Sequence, residues 1–481
     1  MRTRKHLRKY QVRAALDVVT KKRVGLFVDM SLGKTAITLT SFVNLQAQGK
    51  VPHGMWVIAP LSVTKSTWQD EAKQWEHLKH LTFTLVEHKR PSKRLEMLKE
   101  PTDIKIISFT LLPWLYGALP RKRSRRKATK GRRKLIRPEW APSMLAVDES
   151  EHVKGRGAWF RAIRYGIMRW CPYIVIQTGT PAAHSLFDLW PQIYLLDKGV
   201  RLGSSFENYR SRFFQQADYN GFRYEPRPGA ERLIYELLSG IAIRLDGDDW
   251  LELPKVVPNN VYVDLPPRAM ALYRKHEREM FIRLDNLKEV EAANAAVLSG
   301  QCWQLANGAI YDDPELRDSW TEIHRVKLEA LKEIVEAAVG NPMIVAYWFR
   351  HDRERLRKAY PDAMFMSKKN VVECKDLWNS GKLPLLFMNP QNVSHGLNMQ
   401  FGGHIITWFS QIWSGGKHNQ LIARLRRPDQ RSPHVISNYI TARHTVDEVI
   451  AASREQRLRG QTALLDALRE YRRRQRSYYE E

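Results

Sequence analysis

The sequence predicts an α/β fold: two tandem lobes, each a parallel β-sheet flanked by helices. Three observations lead there. Short β-rich runs alternate with helical patterns from residue 24 to 181, a second alternation follows between residues 344 and 440, and a Pro-bounded extended stretch lies between them. The candidate strands of the first lobe are VGLFV, MWVIA, TFTLV, IKIIS, MLAVD and YIVIQ; those of the second are IVAYW, LLFMN, HIITW and HVISNYI.

The first lobe is expected over residues 1–245 and a connector over 246–267, because LPKVVPNNVYVDLPP has Pro-rich ends and an extended middle. The second lobe is expected over 268–481. It opens with a helical brace at 268–338 and closes with a charged helix from Val446 to Arg476. The one strongly biased segment, 121–137, carries eleven Lys or Arg and no acid. Such a run repels itself, so it is read as a loop projecting from the first lobe between IKIIS and MLAVD. Its use is phosphate contact or, on the blander reading, solvation alone.

The 481 residues carry 78 Lys plus Arg against 51 Asp plus Glu, a net charge of +27, which points to a polyanionic partner. Residues 1–23 and 121–137 together hold 19 of those 27 excess charges. With 43% apolar residues the chain can bury real cores, and wholesale disorder is excluded. The longest apolar stretch, Met343 to Phe349, is far shorter than the roughly 18 residues of a membrane span, so a soluble protein is expected. Cys171, Cys302 and Cys374 stand singly, which suggests a reducing compartment rather than a disulfide framework or a zinc site.

Two motifs carry chemistry. After strand VGLFV comes DMSLGKT, in which Ser31, Leu32, Gly33, Lys34 and Thr35 end a loop and open a helix. Backbone N–H groups at such a helix start face an anion, Lys34 reaches terminal phosphates, and Thr35 can hold Mg²⁺. In VDESEH, the apolar strand MLAV ends in Asp148 and Glu149. An acidic pair at the carboxyl end of a parallel strand suits binding of Mg²⁺ and activation of a water. Isolated from the loop, the same pair would equally serve as a helix cap and a solvent-facing Glu.

The ordered set LFVDMSLGKT, VIAPLSVTKSTWQDE, VDESEH, IQTGTP, SHGLNMQ and NQLIARLRRPDQ resembles the successive motifs of superfamily-two helicases, in particular Swi/Snf-type double-stranded DNA translocases. The resemblance spans about Lys9 to Asp447 and implies two RecA-like lobes with the nucleotide site in the cleft between them. It implies that Gln11 reads adenine, that Lys34 binds the β- and γ-phosphates, and that Thr35 and Asp148 hold Mg²⁺. Glu149 would activate the attacking water, Gln420 would belong to the nucleotide site, and Arg424 and Arg427 would face the γ-phosphate. Thr178, Gly179, Thr180, Gly396 and Asn398 would couple nucleotide state to DNA contact. The spacing of Gln420, Arg424 and Arg427 predicts one helical face. Arg121, Lys122, Arg123, Arg125, Arg126, Lys127, Lys130, Arg132, Arg133 and Lys134 are the candidate nucleic-acid contacts.

The sequence departs from the family pattern in several places. Val28 stands at the initial Gly of the general phosphate loop, Ser31 at a Gly, and Ser150 and Glu151 at the Ala-His of the DEAH form. The run NPQNVS before the fifth motif is also looser than the family's. The reading is an ATP- and Mg²⁺-dependent motor that moves along duplex or branched DNA, of minimal phage or bacterial type, cytoplasmic and without membrane contact. Its alternatives are a strand-separating DNA or RNA helicase and a basic nucleic-acid-binding protein with a degenerate motor.

Overall fold

The computed structural model describes residues 1–29, 32–64, 67–123, 133–155, 157–182, 185–216, 224–245, 252–286, 292–313, 316–391 and 397–455. The chain divides into two compact units, Met1–Leu251 and Glu252–Glu481.

The strands of the first unit are β1 (Arg23–Val28), β2 (Met55–Ala59), β3 (Phe83–Leu85), β4 (Ile104–Ser108), β5 (Arg121–Arg123), β6 (Arg133–Leu135), β7 (Met144–Asp148), β8 (Tyr173–Thr178), β9 (Phe214–Gln216), β10 (Tyr224–Pro226) and β11 (Ala242–Leu245). Seven of them form one sheet in the order β11-β1-β8-β7-β2-β4-β3, with every pairing parallel. Strands β2, β4, β7 and β8 are buried at every position. This is why they read as largely apolar runs: helices cover both faces of a parallel sheet, and the buried Lys105 of β4 donates to the Glu100 carbonyl at 2.8 Å. Edge strand β11 was not anticipated, since its exposed rim lowers its apolar content.

The basic insertion starts and ends as a two-stranded ribbon. β5 pairs antiparallel with β6, in the register Arg121↔Leu135, Lys122↔Lys134, Arg123↔Arg133. Residues 124–132, which include Arg125, Arg126, Lys127, Lys130 and Arg132, lie outside the described residues.

In the second unit β12 (Lys255–Val263), β13 (Ala309–Tyr311), β14 (Trp320–Glu322), β15 (Met343–Ala346), β16 (Met364–Met366), β17 (Leu385–Met388), β18 (Ile405–Trp408) and β19 (His434–Ala442) follow in order. Six form a parallel sheet, β12-β19-β18-β15-β17-β16. Much of the segment read as a connector, 246–267, is therefore sheet: β12 pairs along its whole length with β19, from Lys255↔His434 to Val263↔Ala442. It lies at the edge, where Pro258 is tolerated because one side of the strand needs no ladder donor. The brace region comprises helices Pro267–Asn286, Ala292–Asn307 and Val326–Ala337, with hairpin β13–β14 before the last. Among the described residues no helix is long and apolar enough to cross a membrane. The three cysteines are buried and unpaired.

A polar cluster ties this brace to the sheet. The Lys327 ammonium, fully buried, lies 2.5 Å from Asp447 Oδ2 and donates to Asn307 Oδ1 at 2.7 Å. The Asn307 amide in turn donates to Asp352 Oδ2 and Ser410 Oγ, each at 3.0 Å. Arg355 donates to the Asn307 and His324 carbonyls at 2.7 and 2.6 Å. Buried charges persist only when paired and hydrogen-bonded in this way.

Two buried histidines make this unit acid-sensitive. His418 stacks on Trp408 with ring centroids 4.5 Å apart and bonds the Tyr439 hydroxyl at 2.9 Å. Burial, with Arg454 adding to it, pushes His418 down to about 4. Burial likewise pushes His324 down to about 4. Both pKa values are depressed in the folded state, so their stabilisation is complete above the unfolded value of about 6.5 and is lost as pH falls towards 4. Denaturant titrations should show a loss on the order of 2 kcal/mol per histidine between pH 7 and 4.5. His418→Gln is expected to remove its share of that slope.

Candidate nucleotide-binding site

Strands β1, β8 and β7 are neighbours, so their carboxyl ends bring the DMSLGKT loop, the TGTP loop and the DESEH motif together at one edge of the first sheet. Ligands of parallel α/β sheets bind at that edge.

Helix Lys34–Ala47 starts from Gly33, whose φ of 79° and ψ of 38° are left-handed. A side chain there would be strained, and its Cβ would sit 2.4 Å from Gln11 Nε2. Lys34 Nζ donates to the Val28 carbonyl at 2.8 Å, and Thr35 is half-buried. The Leu32 carbonyl accepts from Tyr10 Oη and from Gln11 Nε2, both at 3.2 Å. Gln11 Oε1 accepts from the Arg8 backbone N–H at 2.9 Å. Gln11 thus has both ends of its amide engaged, and it holds the phosphate loop as well as being the residue expected to read adenine. Ser31 lies outside the described residues.

Asp148 is buried, and three donors hold its carboxylate: Trp68 Nε1 at 3.1 Å on Oδ2, and Gln177 Nε2 at 2.8 Å and the Glu149 N–H at 3.1 Å on Oδ1. Gln177 is oriented by the Thr38 hydroxyl, 2.8 Å from its Oε1. Burial, with the charge of Glu149 next, pushes Asp148 up to about 6, while Lys34 and the two side-chain donors pull the other way. Glu149 has φ 49° and ψ 55°, a left-handed backbone that a non-glycine residue adopts only when its surroundings hold it. Glu151 is also buried, and burial together with Glu149 raises its carboxyl well above the usual range. It shares hydrogen bonds with Thr178 and Glu149. In the TGTP loop the Thr180 N–H donates to Thr178 Oγ1 at 2.9 Å, and Gly179 and Thr180 are half-buried.

Three positioning contacts escaped the sequence reading. Trp68 is a buried indole, which needs an acceptor and finds it in Asp148. Gln177 is the polar exception in the apolar run YIVIQ, and that exception was the available signal. Gln192 is likewise the polar exception in the apolar run LWPQIYLL, and its partners are Ser150, Pro181 and Asp188.

The residues present fit a magnesium–nucleotide. Asp148 and Glu149 are adjacent buried carboxyls, the charge of Glu149 raises the cost of ionising Asp148, which a divalent cation relieves, and Lys34 is close enough to act on Asp148. Among the described residues no group of three or more His, Cys, Asp or Glu could hold a metal.

In the second unit, Gln420 and Arg424 lie on helix Gly415–Leu425, half-buried and buried respectively. The helix ends before Arg427, so the single face expected for the three residues does not extend to it: Arg426 caps the helix with a ψ of 79°. Arg427 instead turns back, donating to the Ala423 carbonyl at 3.1 Å and to Asn398 Oδ1. Two residues predicted from separate motifs therefore meet. Gly396 lies outside the described residues.

Of the basic insertion, Arg121 is bound locally, with its guanidinium on the carbonyls of Tyr116 and Gly117 at 2.8 and 3.0 Å. A second cationic cluster was not foreseen. His88, Lys89, Arg90, Lys93 and Arg94 line an open pocket with Ser108 and Thr110, near the carboxyl end of β4, and Glu87 is the one carboxylate in its wall. Arg94 is held over the Trp114 ring at 5.2 Å, whereas Lys89 and Arg90 are exposed.

A family model described as the SNF2-related domain matches residues 10–305. A putative protein p41 of Acyrthosiphon pisum secondary endosymbiont phage 1 is 33% identical over 478 residues, which is 96% of this chain and 98% of its own. The putative ATP-dependent helicase/translocase YwqA of Bacillus subtilis (strain 168) is 23% identical over 444 residues, covering 88% of this chain and 44% of that relative. Among solved structures, the Sulfolobus solfataricus SWI2/SNF2 ATPase core in complex with dsDNA is 19% identical, covers 93% of this chain and 90% of its own, and has a TM-score of 0.42. With more than half of its length matched by the family model and its motifs gathered at one sheet edge, the chain belongs to the SNF2-related family of helicase-like ATPases.

Proposed function

We propose that the protein is a DNA-stimulated ATPase that moves along duplex DNA and remodels bound proteins or branched structures. The observation that carries the ATPase part is the convergence of Gly33-Lys34-Thr35, Asp148-Glu149 and Thr178 on three adjacent strand ends. Bound Mg²⁺ would supply positive charge to the β- and γ-phosphates and draw electron density from the bond that breaks. Thr35 and Asp148 would hold it, and Lys34 would exchange its carbonyl partner for phosphate oxygens. Glu149, next to Asp148 on a constrained backbone, would orient the attacking water and take its proton. Arg424 and Arg427 are the proposed sources of guanidinium charge for the transferred phosphoryl group.

The DNA part is supported by charge. A translocase needs phosphate contacts rather than base contacts. The ribbon register sets Lys122 opposite Lys134 and Arg123 opposite Arg133, so both strands of the ribbon carry basic residues. Lys89 and Arg90 present further exposed cations on the same unit. Deleting 121–137, or neutralising Lys89 and Arg90 together, is expected to weaken duplex binding and to lower the log–log salt slope, by about 2 for the pair. Titrations at several salt concentrations check this, with ATP affinity unchanged.

The deciding experiment compares ATP hydrolysis with and without duplex DNA, and triplex displacement with fork unwinding. Stimulation by duplex with triplex displacement supports the proposal. Efficient unwinding without duplex tracking would replace it with a strand-separating helicase.

A further inference from the structure

In this chain Ser150 and Glu151 stand where the family's DEAH form has Ala-His. Ser150 is fully buried, and its hydroxyl donates to Gln192 Oε1 at 2.7 Å. Gln192, also fully buried, lies on helix Leu189–Asp197. Its Nε2 donates to the Pro181 carbonyl at 2.6 Å and to the Asp188 carbonyl of its own helix at 2.7 Å. One carboxamide therefore bridges the residue after Glu149 and the residue after Thr180.

We propose that Gln192 is a positioning residue that couples the acidic motif to the TGTP loop, a displacement of either being passed on through the Ser150 hydroxyl, the Gln192 carboxamide and the Pro181 carbonyl. The proposal rests on the nucleotide-site reading given above.

The helix does not need Gln192 for anchorage: Leu189, Ile193, Leu195 and Leu196 bury their side chains in the same core. A leucine at 192 would fill similar volume without burying an amide. An amide buried there makes sense only through its partners, and both partners outside the helix are motif loops. Bonds of 2.6 and 2.7 Å leave no slack, so a shift of about 1 Å between the loops breaks one of them or moves its far end. On one side the bridge reaches the peptide after the left-handed Glu149, whose backbone needs external support. On the other it grips a loop whose Thr178 hydrogen-bonds Glu151, a second connection between the same motifs.

The test is hydrogen exchange on the full chain, with and without the β,γ-imido analogue of ATP plus Mg²⁺, in wild type, Gln192→Leu and Ser150→Ala. The Ser150→Ala variant restores the family's alanine and removes one arm without disturbing the helix. In wild type the nucleotide should slow exchange in peptides covering 32–38, 149–153 and 178–182. In both variants the slowing at 178–182 should fall at least fivefold while that at 32–38 is kept. Unchanged slowing at 178–182 in both variants would overturn the coupling role, as would wild-type slowing at 149–153 with none at 178–182. If the nucleotide has no effect at 32–38 in wild type, the nucleotide-site reading fails instead. The bridge is then judged without nucleotide: Gln192→Leu should speed exchange at 149–153 and 178–182 together, and an effect at only one of them would refute it.

Discussion

Glu149→Gln is expected to reduce ATP hydrolysis by a factor of about 10² to 10⁴ while leaving nucleotide binding intact, and Lys34→Ala to remove hydrolysis and weaken binding together. The two losses differ because the residues act on different quantities. Lys34 is placed at the mouth of the phosphate loop, where its ammonium now rests on the Val28 carbonyl, so its removal takes charge from ground state and transition state alike. Glu149 holds Asp148 only through its backbone N–H, which a change of side chain keeps, so an amide in its place should leave the magnesium-binding carboxylate held by Trp68, Gln177 and that N–H. The amide also removes the neighbouring charge that raises Asp148, so metal binding should not suffer. Steady-state hydrolysis beside equilibrium binding of a fluorescent ATP analogue checks both variants. Unchanged hydrolysis in Glu149→Gln would refute its water-activating role.

Asp447→Ala is expected to destabilise the second unit by about 3–5 kcal/mol, since it leaves the Lys327 ammonium buried without its counter-charge. It also strips the Ala442 N–H of an acceptor at 3.0 Å. For a unit of this size the loss corresponds to a fall in Tm of about 10 °C. Lys327→Met should cost a comparable amount, and combining it with Asp447→Ala should cost clearly less than the two single changes added, because no unpaired charge then remains. Thermal melts of the four proteins check the prediction. Additive losses would show that the ion pair contributes nothing beyond its separate hydrogen bonds.

Interior strands were legible because a parallel sheet covered on both faces favours largely apolar runs, and MWVIA, IKIIS and MLAVD are strands over their full predicted lengths. Edge strands were not. β12 carries Pro and two Asn in its middle and reads as a connector, because an edge needs neither a buried face on both sides nor a complete ladder. Of the candidate site, the residues proposed to touch phosphate or metal are the ones the sequence points to, since their types and spacings follow from the ligand's chemistry. Those that hold them were missed. Trp68, Gln177 and Gln192 owe their roles to what lies opposite them in space, and no local pattern encodes that.

The sequence by itself determined the α/β class, the ordered motifs, and the concentration of positive charge in 1–23 and 121–137, all of which depend on residues close together in the chain. Only the tertiary structure decided that Gln11 holds the phosphate loop, that Asn398 meets Arg427, and that Ser150 reaches Pro181 through Gln192. The reason is physical: a buried polar side chain must find partners, and which partner it finds depends on how the sheet orders its strands, which sequence spacing does not record.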